Sequence, residues 1–253
     1  MKTELSTLLK RHDIWQAAHS QRQRSAVSTG FEALDNKLHD GGWPVARLTE
    51  LLVNQHGIGE WQLVMPATIK LCQDGGYCLL IAPPYQPYAP ALEAAGIAGH
   101  RLIVVEPKDL QQTLWSAEQA LASEACSTLL CWLGPQNVKS SQLRKLQLAA
   151  QRGNCTAFIY RDTRFAQQHS PASLRIRVKQ QGAKLALSIV KQPGGWSGQQ
   201  VFLPQLQPQL QRQQAVTALP VHSSQHIRQA VHSVYPTNPQ AQAKQLAASR
   251  VVS

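Results

Sequence analysis

The sequence predicts an α/β fold with a mainly parallel central sheet, a degenerate nucleotide loop and an antiparallel hairpin near its C-terminal end. Three observations carry this. Short apolar runs without polar alternation, Tyr77–Ala82, Arg101–Val105, Ser127–Leu133 and Cys155–Tyr160, read as strands covered on both faces. Helical patterns separate them, as parallel crossovers require. Leu174–Lys179 and Lys184–Lys191 instead alternate on either side of a turn at Gln180–Ala183, the pattern of an antiparallel pair with one solvated face.

Taken in order, Leu5, Leu8, Leu9, Ile14 and Trp15 space out a short amphipathic helix, followed by a polar linker His19–Arg24. Ser28 or Thr29 starts a helix with Phe31, Leu34 and Leu38 on one face; Asp40-Gly41-Gly42 ends it. Arg47–Val53 is a strand. Trp61–Cys72 is a helix that Pro66 kinks or shortens. Tyr88–Ala95 is a short helix stopped by Gly96. Asp109–Glu124 is the strongest helix, with Asp109 as cap, Gln112 as its partner, and Leu110, Leu114, Ala117 and Leu121 along one face. Ser140–Arg152 buries Leu143, Leu146 and Ala150, exposes Arg144, Lys145 and Arg152, and ends at Gly153. The expected division is an N-terminal helical arm and linker over 1–27, a core over 28–204, and a Gln/Pro-rich basic tail over 205–253, flexible apart from a short helix near Gln225–Val234.

Composition narrows the class. No apolar run reaches the ~18 residues of a membrane span, and the first residues lack the apolar segment of a signal peptide. Five cysteines (Cys72, Cys78, Cys126, Cys131, Cys155) contain no C-x-x-C pair and lie mostly in apolar runs. Reduced buried thiols in a cytoplasmic protein are expected, with no metal site. His222, His226 and His232 have no carboxylate beside them and read as solvated. The net charge of +11 is unevenly placed: residues 1–138 carry 10 Lys/Arg and 13 Asp/Glu, residues 139–253 carry 15 and 1. Such asymmetry points to an acidic polymer as partner; a merely solvated basic surface is the alternative.

The stretch after the first long strand is where a phosphate-binding loop would sit. A P-loop reads G-x-x-x-x-G-K-[ST]. Here Asn54 takes the first Gly, Gly59 keeps the second, Glu60 replaces the Lys and Trp61 the hydroxyl residue, with Gly57 inside the loop. A carboxylate ~4 Å from a phosphate charge is repelled by roughly 4 kcal/mol at an effective dielectric near 20. No cofactor is expected. By itself the stretch also fits an ordinary glycine-containing turn.

The phrases TGFEALDNKLHDGGWP, LTELL, GIGE, IAPPYQPYAPALEAAGI and VKQPGG, with their order of strands, resemble the RecA-like ATPase core. More closely, they resemble the ImuA family of RecA-related accessory proteins in bacterial mutagenic translesion-synthesis cassettes. The likeness covers roughly Ile14–Leu203. SulA division inhibitors share a reduced version of this core. The resemblance implies a RecA-like P-loop fold whose ATPase elements have been replaced: Glu60 and Trp61 in the loop, Pro84 near the catalytic Glu position, Cys131 or Trp132 at the metal-binding Asp, and Arg161 near the sensing amide. The chain is therefore expected to be no enzyme.

It also implies an adaptor in SOS-induced error-prone synthesis. The partners implied are a Y-family-like protein, an error-prone replicative-type polymerase and RecA itself. SulA-like inhibition of a tubulin-like division protein is the alternative. The DNA-contacting loops of RecA correspond to Gly134–Lys139 and Arg161–Ser173. In the second, Arg161, Arg164 and Phe165 suit phosphate contact and base stacking, and Arg175, Arg177 and Lys179 extend the patch toward single-stranded DNA. The competing reading packs Phe165 on the core and leaves the arginines to solvent.

Overall fold

The computed structural model describes residues 26–73 and 75–204. The expectations for the N-terminal arm before Ala26 and for the tail with its histidines and short helix lie outside these residues.

An eight-stranded mixed sheet forms the centre. Its strands are β3 (Leu48–Val53), β4 (Tyr77–Ile81), β5 (Leu102–Val105), β6 (Cys126–Trp132), β7 (Thr156–Asp162), β8 (Leu174–Gln181), β9 (Lys184–Lys191) and β10 (Gln200–Pro204). The spatial order is β10-β9-β8-β3-β7-β6-β4-β5. All pairs from β8 to β5 are parallel. The β8–β9 and β9–β10 pairs are antiparallel. β1 (Ala26–Val27) and β2 (Trp43–Pro44) form a separate two-stranded ladder; β1 thus falls in the stretch expected to be linker.

Alternate residues along each central strand face opposite layers. Phe158 and Tyr160 of β7 belong to one core, Ala157 and Ile159 to the other. The first layer holds α1 (Glu32–Asp35), α2 (Met65–Gln73) and α3 (Ala89–Ala94). The second holds α4 (Leu110–Ala122) and α5 (Ser140–Arg152). From β3 the chain steps outward to β4 and β5 under the first layer, then returns to β6 and β7 under the second. Crossovers of one hand demand this change of face when direction reverses. After β7 the chain jumps across β3 to β8, so the connections leaving the neighbouring strands β3 and β7 run in opposite directions.

Local sequence explains the element ends. Pro66 is the second residue of α2, in the first turn, where no backbone donor is lost; the expected helix is shortened, not kinked. Asp109 caps α4 by accepting the Gln112 N–H at 2.8 Å, and Gln112 Oε1 in turn accepts the Lys108 N–H. Gly182, with φ 60°, leads the two-residue turn between β8 and β9, the place for glycine in a tight hairpin.

Three expectations differ. The helix expected from Ser28 or Thr29 up to Asp40 is a four-residue piece followed by turns. Arg101–Val105, read as a buried strand, lies at the sheet edge with Val104 exposed. Gln200–Pro204, in a glutamine-rich stretch with no strand expected, completes the opposite edge as β10, burying Val201 and Leu203.

Candidate functional site

In open α/β sheets, ligands bind at the carboxyl ends of strands where connections part in opposite directions. The loop after β3 occupies that position between the ends of β7 and β8. A crevice of about 150 Å³ lies there, lined by Asn54, His56, Gly134, Tyr160, Arg161 and Asp162 among others.

The loop turns back on itself. Gly57 (φ 82°) and Gly59 (φ 100°) supply left-handed backbone, which only glycine adopts freely. This aims the Gly57 and Ile58 N–H groups inward. Both donate to the carboxylate of Glu60, to Oε1 and Oε2 respectively, each at 2.9 Å. Successive backbone N–H groups in such a turn form an anion-binding concavity, and here the anion is the chain's own side chain. Glu60 is buried at 5% exposure. His56 Nδ1 stands 3.5 Å from its Oε1. Asn54, at the first-Gly position, accepts a hydrogen bond from the Thr163 hydroxyl at the end of β7.

Aromatic rings fill the ground beside the loop. Trp61 meets Trp132 edge-on, centroids 6.0 Å apart. Trp132 stacks on Tyr160. The Tyr160 hydroxyl donates to the Glu60 carbonyl at 3.3 Å. Burial, and then the Glu60 carboxylate, push the Tyr160 phenol well above its usual range. Trp61, placed at the hydroxyl position of the motif, and Trp132, placed at the metal-binding Asp, are therefore parts of one ring cluster. Cys131, the other residue for that Asp position, points into the second core, where burial raises its thiol to about 12. Pro84, near the catalytic Glu position, is exposed beyond β4.

The six residues assigned to nucleic acid separate into two groups. Arg161 and Arg175 lie inside the protein, 2% and 5% exposed. Both reach Glu50 on β3: Arg175 Nε to Oε2 at 2.8 Å, Arg161 Nη1 to Oε1 at 3.4 Å. The Ser170 hydroxyl donates to the same carboxylate. Arg175 also donates to the Phe165 and Ala166 carbonyls. The solvated face expected for Arg175 is covered because the 163–173 connection crosses it. Burial lowers the Arg161 pKa, with nearby Arg175 adding to the shift and Glu50 opposing it.

Phe165 is half-buried between the guanidiniums of Arg161 and Arg164, 4.9 and 5.1 Å from its centroid, so its ring already has cationic neighbours. Arg164 remains exposed, pairs with Asp162 at 3.4 Å and donates to the Pro135 carbonyl at 2.8 Å. Lys179 is exposed and Arg177 half-buried. The two loops matched to DNA contact are thus laced to each other, and a phosphate arriving from solvent meets Arg164 and Lys179 first.

Sequence reasoning missed Glu50 and the fate of the Glu60 carboxylate. Glu50 had a signal: it is the one charged residue in LTELLV, and a carboxylate on a central strand needs a buried cation. Among the described residues all five cysteines are buried and free, no group of three or more His, Cys, Asp or Glu could hold a metal ion, and no helix is long and apolar enough to cross a membrane.

No family model matches the chain. Over 139 residues, 55% of this chain and 80% of the relative, the sequence is 24% identical to the cell division inhibitor SulA of Pectobacterium carotovorum subsp. carotovorum (strain PC1). That is a distant homology over part of the chain, consistent with a SulA-related superfamily.

Proposed function

We propose that this chain is a RecA-fold scaffold that holds no nucleotide and serves the DNA-damage response by gathering protein partners, the polymerase subunits of a translesion cassette first among them. The observation that carries the reading is the Glu60 carboxylate bonded to the Gly57 and Ile58 N–H groups. A phosphate entering the loop would have to displace a buried carboxylate held by two charge-assisted hydrogen bonds, each worth about 1.5–3 kcal/mol. It would find no lysine in exchange. Trp61 and Trp132 stand where the resemblance would put a metal ion's hydroxyl and carboxylate ligands, and they pack on each other instead.

The RecA-like assignment draws support from the strand order, with the loop-bearing β3 in mid-sheet and the hairpin β8–β9 appended beyond it. The translesion assignment rests on the phrases quoted above. It draws further support from length: the matched 139 residues make up most of the SulA relative but little more than half of this chain.

Division inhibition is the second reading, favoured by that relative's name. Two phenotypes in the native host separate them. Deleting the gene is expected to lower damage-induced mutation frequency, while overproducing the protein leaves division normal. Filamentation on overproduction, with mutation frequency unchanged on deletion, would replace the first reading with the second.

A further inference from the structure

The two layers do not cover the sheet equally. Strands β8, β9 and β10 turn Ile176, Val178, Leu185, Leu187, Val201 and Leu203 into the first core. The second core, built on α4 and α5, takes in residues of β3, β4, β6 and β7 and none of β8, β9 or β10. On that side the 163–173 connection covers Arg175. Exposure then rises along β8, from buried Arg175 through half-buried Arg177 to exposed Lys179, so the cover ends within the strand. Beyond it, among the described residues, the outer face of the three strands is open.

Pairing register says what stands there. Lys179, Ala186 and Phe202 form one cross-strand row. Arg177 pairs with Ser188 in the row on one side, and Lys184 lies in the row on the other, diagonal to Phe202 and within reach of a long side chain. Strands about 4.8 Å apart make the face about 10 Å wide from β8 to β10. Phe202 is 49% exposed, although it lies in mid-strand.

The charge on this face has one sign. From Thr163 to Ser253 the chain holds no Asp or Glu. Glu50, on the same side of β3, is fully buried and held by Arg161 and Arg175. Asp162, the last acid of the chain, pairs with Arg164. Among the described residues Arg177, Lys179 and Lys184 enter no ion pair, and the Arg177 Nε has no hydrogen-bond partner. Three unpaired cations call for an anionic partner. A protein segment would meet small residues, Ala186 and Ser188, and one exposed ring, and not the desolvated pocket in which protein hot spots sit. A planar base can lie on that ring while its phosphates meet the cations beside it, as single strands do on aromatic and basic sheet surfaces.

We propose that the open face of β8, β9 and β10 is a platform for single-stranded nucleic acid, with Phe202 stacking a base and Arg177, Lys179 and Lys184 meeting phosphates. This place differs from the laced loops beside β7, and Phe202 and Lys184 are its new members. It goes beyond the scaffold reading and does not depend on it.

The test is fluorescence anisotropy of labelled oligothymidylate of about 12 nucleotides, titrated with the full-length protein over a salt series. Phe202→Ala should weaken binding about tenfold and leave the salt slope unchanged, whereas Phe202→Tyr keeps the ring and the affinity. Lys179→Ala and Lys184→Ala should each flatten the log–log slope by roughly 0.7. All variants are checked for native circular dichroism. An abasic deoxyribose-phosphate strand of equal length should bind the wild type no better than thymidylate binds Phe202→Ala. Absence of binding at low salt, indifference to Phe202→Ala, equal affinity for the abasic strand, or displacement by polyglutamate at equal charge would overturn the proposal; the last would assign the face to an acidic protein segment.

Discussion

The indole of Trp132 lies flat on the phenol of Tyr160, ring centroids 4.6 Å apart and planes 5° from parallel. Trp61 also meets Trp132 edge-on, so Trp132 is the ring that the other two share. Trp132→Ala removes it from a site 5% exposed and should cost about 3–5 kcal/mol in urea unfolding, the usual range for a buried tryptophan. Trp132→Phe keeps an aromatic face and should recover much of this. A loss below about 1 kcal/mol for the alanine variant would show that the rings contribute no packing.

Glu50 is the acid that neutralises Arg161 and Arg175 inside the sheet. Glu50→Ala strands two buried guanidiniums, and removing one partner of a buried pair costs about 3–5 kcal/mol. In a double-mutant cycle, Glu50→Ala with Arg175→Met should lose less than the sum of the single losses, by about 0.5–3 kcal/mol. Additive losses would mean that the pair is not coupled.

Nucleic-acid binding, tested with oligothymidylate over a salt series, should depend on the exposed cations and not on the buried ones. Arg164→Ala and Lys179→Ala are expected to change stability by less than about 0.5 kcal/mol. Each should flatten the log–log salt slope by roughly 0.7 if it touches a phosphate of a single strand. Arg175→Ala should act through stability alone. A flattened slope in Arg175→Ala with unchanged thermal unfolding would show that this side chain reaches phosphate after all.

Alkaline pH should destabilise the fold. The Cys131 thiol is raised by burial from 9.0 to about 12, and the Tyr160 phenol is raised as well, by burial and the Glu60 charge. Above about pH 9 the unfolded chain gives up protons that the folded state retains, so the unfolded state binds fewer and stability falls as pH rises. Three units at about 1.4 kcal/mol each set a ceiling near 4 kcal/mol for Cys131 by pH 12. Urea midpoints between about pH 8 and 10.5 should decline in the wild type and decline less steeply in Cys131→Ala. Parallel profiles would contradict this origin of the slope.

The legible parts of the fold were those written in local chemistry. β4, β6 and β7 announce themselves as apolar runs between turn signals, and α5 occupies the residues its period and Gly153 indicate. β5 is chemically as apolar as its neighbours, yet stands at the edge, because strand order is set by connections and not by composition. β10 hid in a glutamine-rich stretch because only alternate residues face the core. The sign reversal at Glu60 could be read from the motif; that its carboxylate would fill the loop's own anion seat could not, since that follows from backbone angles at Gly57 and Gly59. Arg175 alternates correctly on β8, but the 163–173 connection that leads into the strand folds back over that face.

The Glu60 carboxylate occupies the anion seat of the β3 loop. Calorimetric titration of ATP with magnesium into the full-length protein tests it most directly. No saturable heat is expected up to millimolar nucleotide. Stoichiometric binding in the micromolar range would contradict it, because the Glu60 carboxylate would then have to leave the Gly57 and Ile58 N–H groups to a phosphate.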